Sequence, residues 1–249
     1  MCSQVKSLGR LFLILFVSIA SSVEAQNLHS ALQLRNSHLW RGLEVATGII
    51  YTGNVELSGA NFYGGFWGGG DATGDYTEFN HYVGFHSVQS RLRFELWDIY
   101  NFSPGANYNN REYFNYTASE TGRFWDFRSF YVLSNQFPLE VSWNAIVFGR
   151  DRNTDNTGNK YSYFASLAYP FLRKDDLVVS GRIGYVDALR TMGERHNFFA
   201  SRSGLSEVSL IISKQVPIGS WRIPIGVWAM WNTVDQNAFL QFSVNVFSF

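Results

Sequence analysis

Cysteine is almost absent from this chain, because the one cysteine among 249 residues is Cys2. A single cysteine cannot form a disulfide framework, and it cannot supply the thiolates of a structural zinc site. The five histidines are scattered, and no carboxylate cluster has the spacing of metal ligands. We therefore predict a protein without a metal site and without a cofactor.

Long hydrophobic runs are also missing after residue 25. A membrane-spanning helix needs about 20 apolar residues. Aromatic residues nevertheless make up 17% of the chain, while the mean hydropathy is only −0.11. An apolar, aromatic outer surface around a polar interior produces such an average, which is typical of a β-barrel in lipid.

An excess of charge is lacking as well, since 20 basic residues balance 20 acidic ones. Nothing in this balance favours a nucleic-acid partner, which requires a basic surface. The start of the chain is more informative, because Lys6 and Arg10 precede an apolar run at 11–20 and small residues lead to Ala25. We predict a cleaved export signal at 1–25 and one mature domain at 26–249.

The mature part alternates apolar and polar residues with the period of a β-strand. In residues 139–147, for example, Leu139, Val141 and Trp143 oppose Glu140 and Ser142. The predicted strands are 28–40, 49–58, 61–68, 76–87, 90–100, 126–134, 139–147, 161–171, 177–185, 205–216, 221–231 and 237–249.

The connections between these strands alternate between tight turns and long polar loops. The long ones are predicted at 68–75, 103–122, 151–159 and 188–204. Outer-membrane barrels have short periplasmic turns and longer outward loops. We therefore predict an all-β fold: a transmembrane, antiparallel, up-and-down barrel of about 12 strands in the outer membrane of a Gram-negative-type bacterium. A soluble sandwich with an aromatic core is the alternative.

Aromatic residues near the strand ends suit the boundary between water and lipid. The predicted aromatic girdle consists of Trp40, Trp67, Tyr100, Tyr161, Tyr169, Trp221 and Trp231. At the end of the chain, Phe247 and Phe249 resemble the sorting signal through which barrels meet the barrel-assembly machinery. Val246 occupies the other face, which predicts a bulge near Val246–Phe247.

If the apolar faces meet lipid, the opposite faces line a lumen. The predicted lumen-lining residues are Arg35, Glu56, Glu78, Arg91, Arg93, Glu95, Glu140, Arg182, Glu207 and Arg222. Two interpretations stay open. The charges either form a salt-bridge lattice that fills a narrow barrel, or they line a water-filled passage for small polar solutes without a strong sign preference.

Catalysis has little support in the sequence, so no catalytic residue is assigned and we predict a protein that is not an enzyme. A lipid-modifying enzyme would need a Ser and a His within hydrogen-bond reach. His81, the pair His86-Ser87 and His196 offer no such arrangement. A closed structural or adhesive barrel is a further alternative, in which the 103–122 loop acts as a surface contact or as a constriction.

Two segments near the start resemble a known family. Residues 36–42 read NSHLWRG, and residues 62–67 read FYGGFW. They resemble the TorF-type porin family of bacterial outer membranes, whose members carry a Ser-x-Tyr-x-x-Arg-Gly pattern before a Gly-x-Trp strand. Ser37 and Arg41-Gly42 match this pattern, while Leu39 replaces its aromatic residue. The run FPLEVSWN at 137–144 also resembles this group. The resemblance implies an outer-membrane barrel with porin-like passage of small solutes.

Overall fold

The computed structural model describes residues 27–248, which form a closed barrel of twelve antiparallel strands. Each strand pairs with its neighbours in the sequence, and β1 pairs with β12 to close the sheet. The strands are β1 (Asn27–Trp40), β2 (Leu43–Gly59), β3 (Phe62–Asp71), β4 (Thr77–Ser87), β5 (Leu92–Asn101), β6 (Phe124–Val132), β7 (Glu140–Gly149), β8 (Ser162–Lys174), β9 (Leu177–Ala188), β10 (Gly204–Ile218), β11 (Trp221–Asn232) and β12 (Asn237–Ser248). The predicted fold class is therefore confirmed.

Some predictions concern residues outside this range. The export signal at 1–25 and the terminal Phe249 lie outside the described residues. Between residues 27 and 248, no helix has the length and apolar character needed to cross a membrane.

Closure of the barrel depends on the pairing of β1 with β12, which leaves neither strand with an open edge. Leu32 pairs with Phe247, but the next residue, Gln33, pairs with Asn245, so Val246 is bulged out. Val246 and Phe247 are consecutive, yet their side chains are both about half exposed. The bulge predicted at this position is confirmed.

The two ends of the barrel differ in their connections. At one end, called the turn end, the connections are 60–61, 88–91, 133–139, 175–176 and 219–220. At the other end, called the loop end, they are 41–42, 72–76, 102–123, 150–161, 189–203 and 233–236. The long loops predicted at 103–122, 151–159 and 188–204 lie together at the loop end. The loop predicted at 68–75 is shorter, because β3 continues to Asp71 and leaves only 72–76. The connections 41–42 and 233–236 are short as well, and the turn at 41–42 has a separate role in the interior.

Strand alternation gives the barrel an apolar outer face. Leu34, Val141, Trp143, Leu167 and Leu210 are among the large apolar side chains exposed on it. Polar residues that alternate with them point inward and are buried, and these include Ser142, Asn144, Ser166 and Ser209. The outer face is thus apolar and the inner face carries polar side chains, which is the reverse of the arrangement in a water-soluble protein.

A hydrophobic cluster lies inside the barrel toward the loop end. Its strand residues are Ile99, Phe124, Ile146, Phe164 and Val186, and the 189–203 loop adds Phe199 and Ala200. Because loop residues complete this cluster, the loop is folded into the barrel interior.

Candidate functional site

The barrel encloses two cavities, one at each end. The loop-end cavity has a volume of about 830 Å³, and the turn-end cavity has a volume of about 710 Å³. All strand residues that line them belong to β1–β7. Trp97 on β5 lines both cavities. The indole of Trp97 therefore lies between the two cavities.

Trp97 is held between two other side chains. The Tyr82 ring stacks on it at a centroid distance of 4.2 Å and an interplanar angle of 12°. The guanidinium carbon of Arg128 lies 4.1 Å from its ring centroid. The indole N–H donates a hydrogen bond of 2.6 Å to Glu95. We call Tyr82, Trp97 and Arg128 the constriction layer.

The constriction layer continues into a network of buried charges. Arg41 donates two hydrogen bonds to Asp126, of 2.9 and 2.8 Å. Arg128 donates to the same carboxylate at 2.6 Å and lies 3.7 Å from Glu95. The Asp126 side chain is fully buried, and that of Arg41 is 8% exposed. Geometry of this bidentate kind is what buried ion pairs require.

Arg41 reaches this network because the 41–42 turn folds into the barrel. Both turn residues have positive φ, 50° for Arg41 and 86° for Gly42. A Cβ atom added at Gly42 would lie 2.3 Å from the carbonyl oxygen of Ser206. The Asn232 side chain donates a 3.1 Å hydrogen bond to the Gly42 carbonyl. Only glycine fits this close approach, which fixes the turn against β10.

A second polar network fills the interior beside β9, β10 and β11. Arg182 donates to Glu207 at 2.6 Å, and the Ser209 hydroxyl donates to the same carboxylate at 2.7 Å. The indole N–H of Trp228 donates to Ser209 at 2.8 Å. None of these side chains lines either of the two cavities.

Residues Asn197–Ala200 form a plug segment inside the loop end. Phe198 and Phe199 contact Trp40 at centroid distances of 6.2 and 5.3 Å. The Asn197 side chain accepts hydrogen bonds from the backbone N–H groups of Phe199 and Ala200, at 2.9 and 3.0 Å. The backbone N–H of Phe198 donates to Ser162 at 3.0 Å. The plug segment therefore has its own local fold and an anchor on β8.

A contact between two loops also holds the plug segment in place. Glu194 accepts a 2.6 Å hydrogen bond from the backbone N–H of Thr154. This bond keeps the pKa of the Glu194 carboxyl below its usual range. Lys160 lies 3.4 Å from the same carboxylate. The 189–203 loop is thereby tied to the 150–161 loop.

Replacing Phe199 by alanine is expected to release the plug segment from the interior. Phe199 is fully buried, and removing such a ring from a core costs about 3–5 kcal/mol. Because the ring belongs to a loop, the loss should favour local opening over unfolding of the barrel. Trypsin should then cut the loop at Arg190, Arg195 or Arg202 at least about tenfold faster than in the wild type. Phe114→Ala is the control, because Phe114 is 84% exposed. Equal cleavage of wild type and F199A would contradict this account.

The 102–123 loop spans the rim of the barrel. Gly105, Ala106 and Tyr108 line the loop-end cavity. Farther along, Tyr116 donates a 3.0 Å hydrogen bond to Asp98, which Arg123 also contacts. Asp98 alternates with the inward-facing Trp97, so this part of the loop packs on the outer wall. The loop thus lines the cavity with one part and packs on the barrel wall with the other.

The structure distributes the predicted lumen residues over several places. Arg35 and Glu78 line the loop-end cavity. Glu56, Arg91, Arg93, Glu95 and Glu140 line the turn-end cavity. Arg182 and Glu207 form the second network. Arg222 pairs with Asp176 at the turn end, with 65% of its side chain exposed.

The predicted girdle residues also lie in different environments. Trp221 and Trp231 are exposed, at 68% and 47%, while Tyr161 lies near Arg190 and Tyr169 packs on Phe137. Trp40 packs with the plug segment, Trp67 lines the loop-end cavity, and Tyr100 is covered by Phe102 and Tyr113. Trp40 lines the loop-end cavity beyond two register shifts of the β1–β2 pairing, whose extra residues lie in β2. In β3, the exposed Phe62 and Phe66 set the outer phase, so Trp67 faces inward.

The histidines lie apart from one another in the structure. His81 lies 3.2 Å from Asp98 on the outer wall, and His196 lies 3.3 Å from Glu194 in the 189–203 loop. His86 lines the turn-end cavity. Within the part of the chain that the structure describes, no group of three or more His, Cys, Asp or Glu side chains is placed to hold a metal ion.

The sequence analysis did not single out the constriction layer. One signal was present, because Trp97 follows Arg93 and Glu95 at steps of two and therefore shares their inward face. The stacking partners Tyr82 and Arg128 lie on neighbouring strands. Only the strand register brings them to Trp97.

Comparison with known proteins identifies distant structural likenesses only. No family model and no curated protein matches the chain, so the TorF-type resemblance is not confirmed. An outer membrane channel from Pseudomonas putida F1 is similar with a TM-score of 0.46 and 10% identity, over 90% of this chain and 95% of that one. A structure from work on in-meso crystallization of membrane proteins has a TM-score of 0.49 and 9% identity, over 90% of this chain and 83% of that one.

Proposed function

We propose that this protein is an outer-membrane channel that lets small polar solutes pass through a narrow, mixed-charge interior. The apolar outer face supports a place in lipid, where a closed barrel satisfies every backbone hydrogen bond without water. The fold has the short turns and longer loops of outer-membrane barrels. In that membrane the turn end faces the periplasm and the loop end faces outward.

The proposal depends on one observation, which is that Trp97 lines both cavities. A barrel filled by side chains throughout would leave no space at either end. Here cavities of about 830 and 710 Å³ approach from opposite ends and share one residue. The route between them passes the constriction layer, whose guanidinium, phenol and indole groups suit polar solutes.

A closed structural barrel is the second candidate, and the plug segment favours it. Phe198, Phe199 and Trp40 occupy the loop-end interior, and the Arg41–Asp126 pair crosses it. The two candidates differ in one respect only, which is whether water and solute pass the constriction layer.

Uptake into liposomes distinguishes the two candidates. Purified protein is reconstituted into liposomes, and swelling is followed in isotonic arabinose and in isotonic stachyose, a much larger sugar. The channel predicts swelling in arabinose but not in stachyose. No swelling in either sugar, from protein that shows the heat-modifiable gel migration of a folded barrel, would favour the closed barrel.

A charge on the outer face tests the proposed lipid contact. Leu167 is exposed in the middle of β8. Leu167→Arg is expected to destabilise the barrel in lipid by about 2–4 kcal/mol, the cost of arginine near the bilayer centre. Val88→Arg is the matched control, because Val88 is 76% exposed in a turn and should cost about 0–1 kcal/mol. Unfolding in urea from lipid vesicles measures both. Equal costs would contradict a lipid-facing β8.

We further propose that the partners of the protein are membrane lipid and the barrel-assembly machinery. Membrane lipid covers the outer face, and β12 is the strand through which the barrel-assembly machinery receives the chain. The protein acts without catalysis, and passage through the interior requires no bond to form or break.

A further inference from the structure

Among the described residues, the loop-end cavity contains two arginines without a carboxylate partner. Arg35 donates to Thr52 at 3.0 Å and to Gln33, and it contacts His38 at 2.9 Å, but its Nε is buried without a hydrogen-bond partner. Arg150 is hydrogen-bonded to Tyr108, and its Nε is also buried without a partner. Between residues 27 and 248, neither guanidinium lies within 4 Å of a carboxylate oxygen. Both side chains line the cavity, so an anion bound there would give each guanidinium an ionic partner.

The charges nearest these arginines are already engaged. Glu78 also lines the cavity, but it accepts hydrogen bonds from Tyr76, Asn80 and Asn101. Asp71 accepts hydrogen bonds from the backbone N–H groups of Gly74 and Tyr76, both at 2.9 Å. Glu44 and Asp75 line the cavity as well, and the Thr73 hydroxyl donates a 2.8 Å hydrogen bond to Asp75. Asp71, Asp75 and Glu78 therefore accept hydrogen bonds from neutral donors, whereas neither arginine has a carboxylate oxygen within 4 Å.

The guanidinium group of Arg150 packs against three aromatic rings. Its guanidinium carbon lies 3.8 Å from the Tyr108 ring centroid and 5.1 Å from those of Phe124 and Phe198. Burial lowers the pKa of Arg150, and Tyr108 and Glu78 oppose this effect. An arginine stays charged in proteins. The charge is thus held rigidly beside flat apolar surfaces.

Flat side chains also line the opposite part of the cavity. His38 contacts the Trp67 ring at 5.5 Å and stacks on Tyr76 at 5.8 Å. The volume of about 830 Å³ lies in the range of sites for small organic ligands, which combine apolar walls with a few polar groups. A planar ring fits between such walls, and a carboxylate fits a guanidinium.

We infer that the loop-end cavity is a binding site for a small carboxylate attached to a planar ring, with Arg35 and Arg150 holding the anion. This deepens the proposed function, on which it rests for the route by which the ligand leaves. The carboxylate supplies the ionic partner that neither guanidinium has within the cavity, while Trp67, Tyr76 and Tyr108 face the ring. The site would select solutes before they reach the constriction layer.

Calorimetric titration of the folded, detergent-solubilised barrel tests the site. Benzoate is compared with benzamide, which has the same ring but no charge. Benzoate is expected to bind at least about tenfold more tightly, because hydrogen bonds to a charged group are the stronger ones. Arg150→Gln and Arg35→Gln should each remove most of that preference, whereas Arg150→Lys should retain much of it. Arg173→Gln is the control, because Arg173 is exposed at the turn end.

Equal affinity for benzoate and benzamide in the wild type would overturn the site, and this comparison needs no variant to fold. A preference that survives in both glutamine variants would overturn it as well. The channel itself is tested separately by liposome swelling. If the barrel prefers benzoate but does not pass arabinose, the binding site stands and the channel is contradicted. If it passes arabinose but does not prefer benzoate, only the binding site is contradicted.

Discussion

Replacing Trp97 by alanine is expected to raise the single-channel conductance at least about twofold, because the narrowest part of a pore controls passage. Trp97 is the residue that both cavities share, and its ring fills the space between Tyr82 and Arg128. Alanine removes the ring and joins the two cavities. Recording in planar bilayers measures the effect directly.

The control for this prediction is Trp221→Ala. Trp221 is 68% exposed on the outer face, so its removal should leave the conductance at the wild-type value. The two substitutions delete the same side chain at two distances from the proposed route. An unchanged conductance in W97A would place the narrowest point elsewhere.

Replacing Asp126 by alanine is expected to lower the free energy of unfolding by about 3–5 kcal/mol, which is typical when one partner of a buried ion pair is removed. Asp126 is fully buried and accepts hydrogen bonds from both Arg41 and Arg128. Its removal leaves two guanidinium groups without their carboxylate. It also detaches the 41–42 turn from β6.

Equilibrium unfolding in urea measures this loss as a shift of the midpoint. Asp176→Ala is the matched control, because it breaks the exposed pair with Arg222 and should stay within about 1 kcal/mol of the wild type. A similar shift for both variants would mean that the Asp126 network adds no more than a surface ion pair.

The sequence was sufficient for those features that depend on strand period and loop length. Alternation such as that of residues 139–147 placed every strand, and the broken alternation around Val246 placed the bulge. The largest difference is at β2, which starts at Leu43 and not at residue 49. Its first residues pair with β1 although Gly48 has a φ of 105°, so tertiary pairing overrides a local break.

The interior depends on contacts between residues far apart in the chain, and these leave no local signal. The 41–42 turn folds inward because Gly42 fits against Ser206 on β10. Trp40 faces inward although strict alternation would place it on the same face as the exposed Leu32 and Leu34. A polar loop such as 189–203 reads as solvent-exposed, yet Phe199 is fully buried. The strand period alone therefore predicts the wall of this barrel, but it does not predict which side chains and loop segments fill the interior.

Single-channel recording of the purified wild-type protein in a planar bilayer tests the channel most directly. The two cavities that meet at Trp97 predict discrete conductance steps. A silent bilayer, with protein from the same preparation shown to be folded by its heat-modifiable migration, would contradict a channel and leave a closed barrel.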